Sequence, residues 1–121
     1  MAKKILVVED EESLLKAIAM KMEKMGAEAI PVRSVKEAKE KLAGTKPDLV
    51  WLDHYLFGGE DGIELLKVLK AKSETKDIPV IVVSNTCSGD KYHDYMDLGI
   101  NKYYVKSSVR LDQIISEALS L

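Results

Sequence analysis

With 121 residues, 46% of them hydrophobic and 31% charged, the chain has the size and composition of one core-forming domain, taken as residues 1–121. A net charge of −2 exerts no global pull on nucleic acid or anionic lipid, and the single cysteine, Cys87, excludes an internal disulfide and suits a reducing, cytoplasmic setting. The apolar residues between Lys4 and Glu9 are too few for a signal peptide, and no run approaches the roughly 20 apolar residues of a membrane span.

Ile5–Val8 is a continuous apolar run and predicts the first strand. Ser13–Met25 follows as a helix, with Leu14, Ala17, Ile18 and Met22 on one face and Gly26 as its stop. Glu28–Val32 is a weaker second strand. The next helix opens at Ser34, with Glu37 three residues on as a capping box; Val35, Ala38 and Leu42 repeat along it, and Gly44 ends it. Asp48–Leu52 is the third strand and Ile63–Lys72 the third helix, with Ile63, Leu66 and Leu69 in register. Pro79–Val83 is the fourth strand, a helix from Asp90 to Leu98 stops at Gly99, and Tyr103–Val105 is the fifth strand. The last helix spans Val109–Leu119, with Leu111, Ile114, Ile115 and Ala118 on one side.

The strong strands do not alternate with polar residues, as expected of strands covered on both faces. The order βαβαβαβαβα therefore predicts an α/β fold, a parallel sheet with helices on both sides. Ligands of such sheets bind at the carboxyl ends of the strands. Glu9 and Asp10 follow the first strand, Asp53 the third, Ser84 the fourth and Lys106 the fifth. These five polar groups should converge. Crowded carboxylates repel one another, and a hard cation such as Mg²⁺ relieves that repulsion. A carboxylate nucleophile, a metal, a lysine and a hydroxyl together suit phosphoryl transfer.

Ile-Leu-Val-Val-Glu-Asp-Glu at 5–11, Leu-Val-Trp-Leu-Asp at 49–53, Asp-Gly at 61–62, Pro-Val-Ile-Val-Val-Ser at 79–84 and Tyr-Tyr-Val-Lys at 103–106 carry a resemblance. In this order and spacing they resemble the receiver domain of two-component response regulators, in particular the single-domain, chemotaxis-regulator-like members. The resemblance implies a flavodoxin-like, doubly wound five-stranded sheet of order 2-1-3-4-5 with five helices. It implies Asp53 as phosphoacceptor and Mg²⁺ on Asp10, Asp53, the backbone carbonyl of Tyr55 and Glu9, the last directly or through water. It further implies Ser84 and Lys106 as phosphoryl ligands, and Ser84 with Tyr103 as the switch pair. The implied partners are a sensor histidine kinase or phosphotransfer protein, and a downstream protein on the face of helix four, strand five and helix five. A cytoplasmic monomer that contacts neither nucleic acid nor membrane is expected. The protein modifies itself and sheds phosphate slowly, and so is not counted an enzyme. Tyr55 and Thr86 occupy the positions that tune water access; the bulk of Tyr55 predicts a long-lived phosphoryl group. No effector domain follows the last helix, so output is expected through binding or phosphorelay, unless the chain is part of a longer protein.

The sequence departs from the family pattern at two places. Ser107 replaces the proline that usually follows the strand-five lysine through a cis peptide bond, which for a non-proline residue costs about 2.5–4 kcal/mol. Phe57 replaces another common proline, in a loop one residue longer that contains Gly58 and Gly59. These departures support an alternative, an interaction module that keeps the fold without phosphorylation. A small phosphatase using Asp53 is disfavoured, because Tyr55 stands where its second acid is needed. Other residues read as structural: Trp51 as core, His54 as a loop histidine, His93 as exposed and Cys87 as a loop or packing residue. Tyr92, Tyr95 and Met96 lie at helical spacing, either packed on the sheet or in part displayed to a partner.

Overall fold

The computed structural model describes residues 2–54, 61–85 and 89–121, with only the backbone of Gly89 and Asp90. Branched apolar runs form the strands: β1 (Lys4–Val8), β2 (Glu28–Val32), β3 (Leu49–Leu52), β4 (Val80–Ser84) and β5 (Lys102–Val105). Between and after them lie α1 (Glu12–Lys24), α2 (Val35–Gly44), α3 (Gly62–Ala71), α4 (Gly89–Asp97) and α5 (Leu111–Leu119). All pairings are parallel and the sheet order is β2-β1-β3-β4-β5, the flavodoxin-like order expected. Ser84 is thus the last residue of β4 rather than the first residue beyond it.

The three inner strands bury every residue except Lys4. Successive side chains face opposite sides, which divides the core in two. Leu6, Val8, Val50, Leu52, Val80 and Val82 pack with residues of α2, α3 and α4. Ile5, Val7, Leu49, Trp51, Ile81 and Val83 pack with residues of α1 and α5. Trp51 is fully buried, as its setting in a strand implied.

Local chemistry sets the helix ends. Ser34 Oγ accepts from the Glu37 amide at 3.1 Å, and Glu37 Oε1 accepts from the Arg33 amide at 3.4 Å, so the expected box closes one residue further out. Gly26 and Gly99 adopt φ of 91° and 87°, the left-handed conformation that lets a chain leave a helix. Gly44 is instead the last residue of α2, with Thr45 as its cap. One helix face and one helix start differ from expectation. On α1 the buried stripe is Leu15, Ile18 and Met22, while Ala17 is exposed. The α5 helix begins at Leu111 rather than Val109.

Candidate functional site

Parallel pairing in register places the carboxyl ends of β1, β3, β4 and β5 side by side. The Asp53 amide donates to Val8 O at 3.0 Å, and the Lys106 amide donates to Ser84 O at 2.8 Å. These bonds set the first residue beyond β3 against the last residue of β1, and the first residue beyond β5 against the last residue of β4. Glu9, Asp10 and Asp53 each offer a carboxylate oxygen, and these oxygens all lie within 4.8 Å of one another. Lys106 reaches into the group, with Nζ 2.6 Å from Glu9 Oε1 and 3.5 Å from Asp53 Oδ2. The Lys106–Ser107 bond is trans, since no peptide bond among the described residues is cis.

Burial makes this cluster electrostatically expensive. Glu9, Asp53 and Ser84 are buried, and Asp10 is half-buried. Loss of water and the charge of Glu9 push the Asp53 carboxyl from 3.8 to about 7. Asp10 is raised as well, by desolvation and then by Glu9. Burial also acts to raise Glu9, but hydrogen bonds from Lys106 and from the Glu11 amide outweigh it and hold the carboxyl below its ordinary range. Glu9 thus carries the settled charge, and Asp53 is left near its titration midpoint at neutral pH. Arg33 fixes the main chain beside them, its Nε and Nη2 donating to Asp10 O at 2.9 and 2.8 Å.

Ser84 Oγ is fully buried and has no hydrogen-bond partner among the described residues. Buried hydroxyls are nearly always paired, so this one marks a place where a further acceptor fits. Tyr103, half-buried on β5, packs on α4 between Tyr92 and Tyr95, with ring centroids 5.6 and 5.8 Å away. Tyr55, expected to offer its carbonyl to the metal, lies outside the described residues, as do the Phe57 loop, Thr86 and Cys87.

Two residues acquire roles that sequence reasoning missed. His54, expected to be an ordinary loop histidine, is buried, and its Nδ1 shares a 2.6 Å hydrogen bond with the hydroxyl of Tyr95. Burial, then the positive charge of Lys91, hold its ring below its ordinary pKa and so neutral. Asp61 caps α3, accepting from the Glu64 amide at 3.2 Å; Asp-Gly followed three residues later by Glu was the available signal. His93 is exposed, as expected.

Comparison with known proteins decides the family: the description "Response regulator receiver domain" matches residues 5–118. The chain belongs to that family. As a receiver domain it has a phosphoacceptor signalling role in a two-component system. It is 33% identical over 104 residues to the phosphate regulon transcriptional regulatory protein PhoB of Pseudomonas aeruginosa. That match covers 86% of this chain and 45% of PhoB, so the chain spans about half the length of that relative. Among solved structures, it is similar to the phosphorylated cyanobacterial phytochrome response regulator RcpA, at 30% identity and a TM-score of 0.83, covering 99% of this chain and 91% of that one. The chemotaxis protein CheY4 of Vibrio cholerae, 20% identical, shares the fold with a TM-score of 0.88, covering 97% of this chain and 96% of that one.

Receiver domains bind Mg²⁺ at an acidic pocket. The donor set of this receiver fits such an ion: three hard carboxylates are gathered closely, and burial together with the charge of Glu9 disfavours the ionised form of Asp53 until a cation offsets it. Receiver domains also interact with histidine kinases or phosphotransfer proteins and with downstream effectors, and are signalling modules, generally not enzymes. No helix among the described residues is long and apolar enough to cross a membrane.

Proposed function

We propose that this chain is a single receiver domain over residues 1–121 that takes a phosphoryl group on Asp53 from a histidine kinase or phosphotransfer protein. The observation that carries this reading is the meeting of Asp53 with Glu9, Asp10 and Lys106 at one end of the sheet. Asp10 and Asp53 would hold Mg²⁺, with Glu9 directly or through water and the Tyr55 carbonyl completing the protein ligands. When bound, the ion supplies positive charge against the carboxylates and the incoming phosphoryl oxygens.

Asp53 attacks phosphorus in line. Its O–P bond forms as the P–N bond to the donor histidine breaks, and the imidazole leaves with that electron pair and takes up a proton. Lys106 lies close enough to Asp53 to hold charge on the transferred group. The Ser84 hydroxyl then donates to a phosphoryl oxygen, an acceptor that Oγ does not find among the described residues. Tyr103 follows inward and the α4–β5–α5 face changes, so that a downstream protein binds it differently. Phosphorylation can shift this equilibrium only by as much as it favours one arrangement over the other.

One observation favours a second reading, a module that ignores phosphate: Lys106 is already paired at 2.6 Å with Glu9 inside the site. A single experiment separates the two. Incubation with phosphoramidate, followed by intact-mass measurement, should add one phosphoryl group only when Mg²⁺ is present. Asp53→Asn should abolish the adduct. An unmodified wild-type mass in saturating Mg²⁺ would favour the interaction module.

A further inference from the structure

Three elements hold the main chain at Asp53. The Asp53 amide donates to Val8 O of β1 at 3.0 Å, and the Gly62 amide at the start of α3 donates to His54 O at 2.9 Å. Both are backbone bonds. The third tie is made by side chains: the His54 ring and the Tyr95 hydroxyl of α4, joined at 2.6 Å. The two rings meet edge to face, with centroids 5.5 Å apart.

The hydroxyl of Tyr95 occupies a seat shaped for it. A Cβ added at Gly62 would collide with that oxygen and stand 2.9 Å from the carbonyl oxygen of Asp53. The absence of a side chain at position 62 therefore admits the Tyr95 hydroxyl to the corner where β3 gives way to α3. Tyr95 is fully buried and His54 nearly so, which makes the bond between them costly to lose. The Tyr95 ring also packs against Tyr103, with centroids 5.8 Å apart. One side chain of α4 thus touches both the acceptor corner and the aromatic residue of the proposed switch.

We propose that Tyr95, acting through His54, is a positioning residue for phosphoryl transfer: it fixes the end of β3 so that the Asp53 carboxylate stays aimed along the line of attack. This rests on the reading of Asp53 as phosphoacceptor. A small misplacement of a reacting group costs rate out of proportion to the stability lost.

The test is the phosphorylation rate with phosphoramidate in saturating Mg²⁺, followed by intact mass, for wild type, Tyr95→Phe, His54→Leu and His54→Asn. Tyr95→Phe keeps the ring and removes the bond. Asn places an amide near the former position of Nδ1, whereas Leu offers none. Tyr95→Phe and His54→Leu should lower the maximal rate roughly tenfold, leave the half-saturating donor concentration unchanged, and keep cooperative melting. His54→Asn should recover most of the rate. Should Tyr95→Phe fail to fold, the comparison of Leu with Asn at position 54 still decides. Wild-type rates in both disabling variants would overturn the inference alone, as would an Asn variant as slow as the Leu variant. A wild-type protein that takes no phosphoryl group would overturn the phosphoacceptor reading and this inference with it.

Discussion

The Asp53 carboxyl is an uncommon acid, because burial and the charge of Glu9 lift it to about 7. A carboxyl raised in the folded state binds its proton more tightly there than in the unfolded chain. Between about pH 4 and 7 the native state therefore holds more protons, and stability falls as pH rises through that window. Without divalent cations, Asp53→Asn should be more stable than wild type at pH 8, by on the order of a few kcal/mol, with little difference at pH 4. Urea titration at the two pH values checks this, and added Mg²⁺ should narrow the gap at pH 8. Lys106 has the opposite role. Lys106→Ala strands the buried Glu9 charge and should cost roughly 3 kcal/mol, whereas adding Glu9→Gln to it should restore much of the loss. A double-mutant cycle in denaturant measures that coupling.

At the scale of elements, Gly62, at the junction between β3 and α3, is the described glycine with the least room for a side chain. Gly62→Ala would drive a methyl into the Tyr95 hydroxyl and the Asp53 carbonyl, so a loss of about 1–3 kcal/mol is expected in urea titration. The Ser34 cap of α2 is a milder case, and Ser34→Ala should cost about 1 kcal/mol. Much of this level was legible in the sequence. Unbroken apolar runs identified the inner strands, and Gly26 and Gly99 marked helix ends because they supply positive φ. The capping box at Ser34 was visible from spacing alone. The face of α1 was not: Leu14 and Leu15 are both apolar, and spacing does not say which of two adjacent leucines turns inward. The environment of His54 was hidden too, since its partner Tyr95 lies 41 positions away and only the packing of α4 on the sheet brings them together.

For the whole molecule, the governing fact is that one parallel sheet carries two separate cores and gathers Glu9, Asp10, Asp53 and Lys106 at the carboxyl ends of its strands. The gathering of Glu9, Asp10, Asp53 and Lys106 was legible because each lies within two residues of the end of an apolar run, and parallel topology puts those ends together. The strength of the Glu9–Lys106 pair was not legible, since it depends on how far the lysine reaches inward. The most direct test of the central claim locates the phosphoryl group itself. The Mg²⁺-dependent adduct would be reduced with borohydride, which converts an aspartyl phosphate to homoserine, and the digest sequenced by tandem mass spectrometry. Homoserine at position 53 is the expected result; an unmodified Asp53, with the label on another residue, would contradict the account.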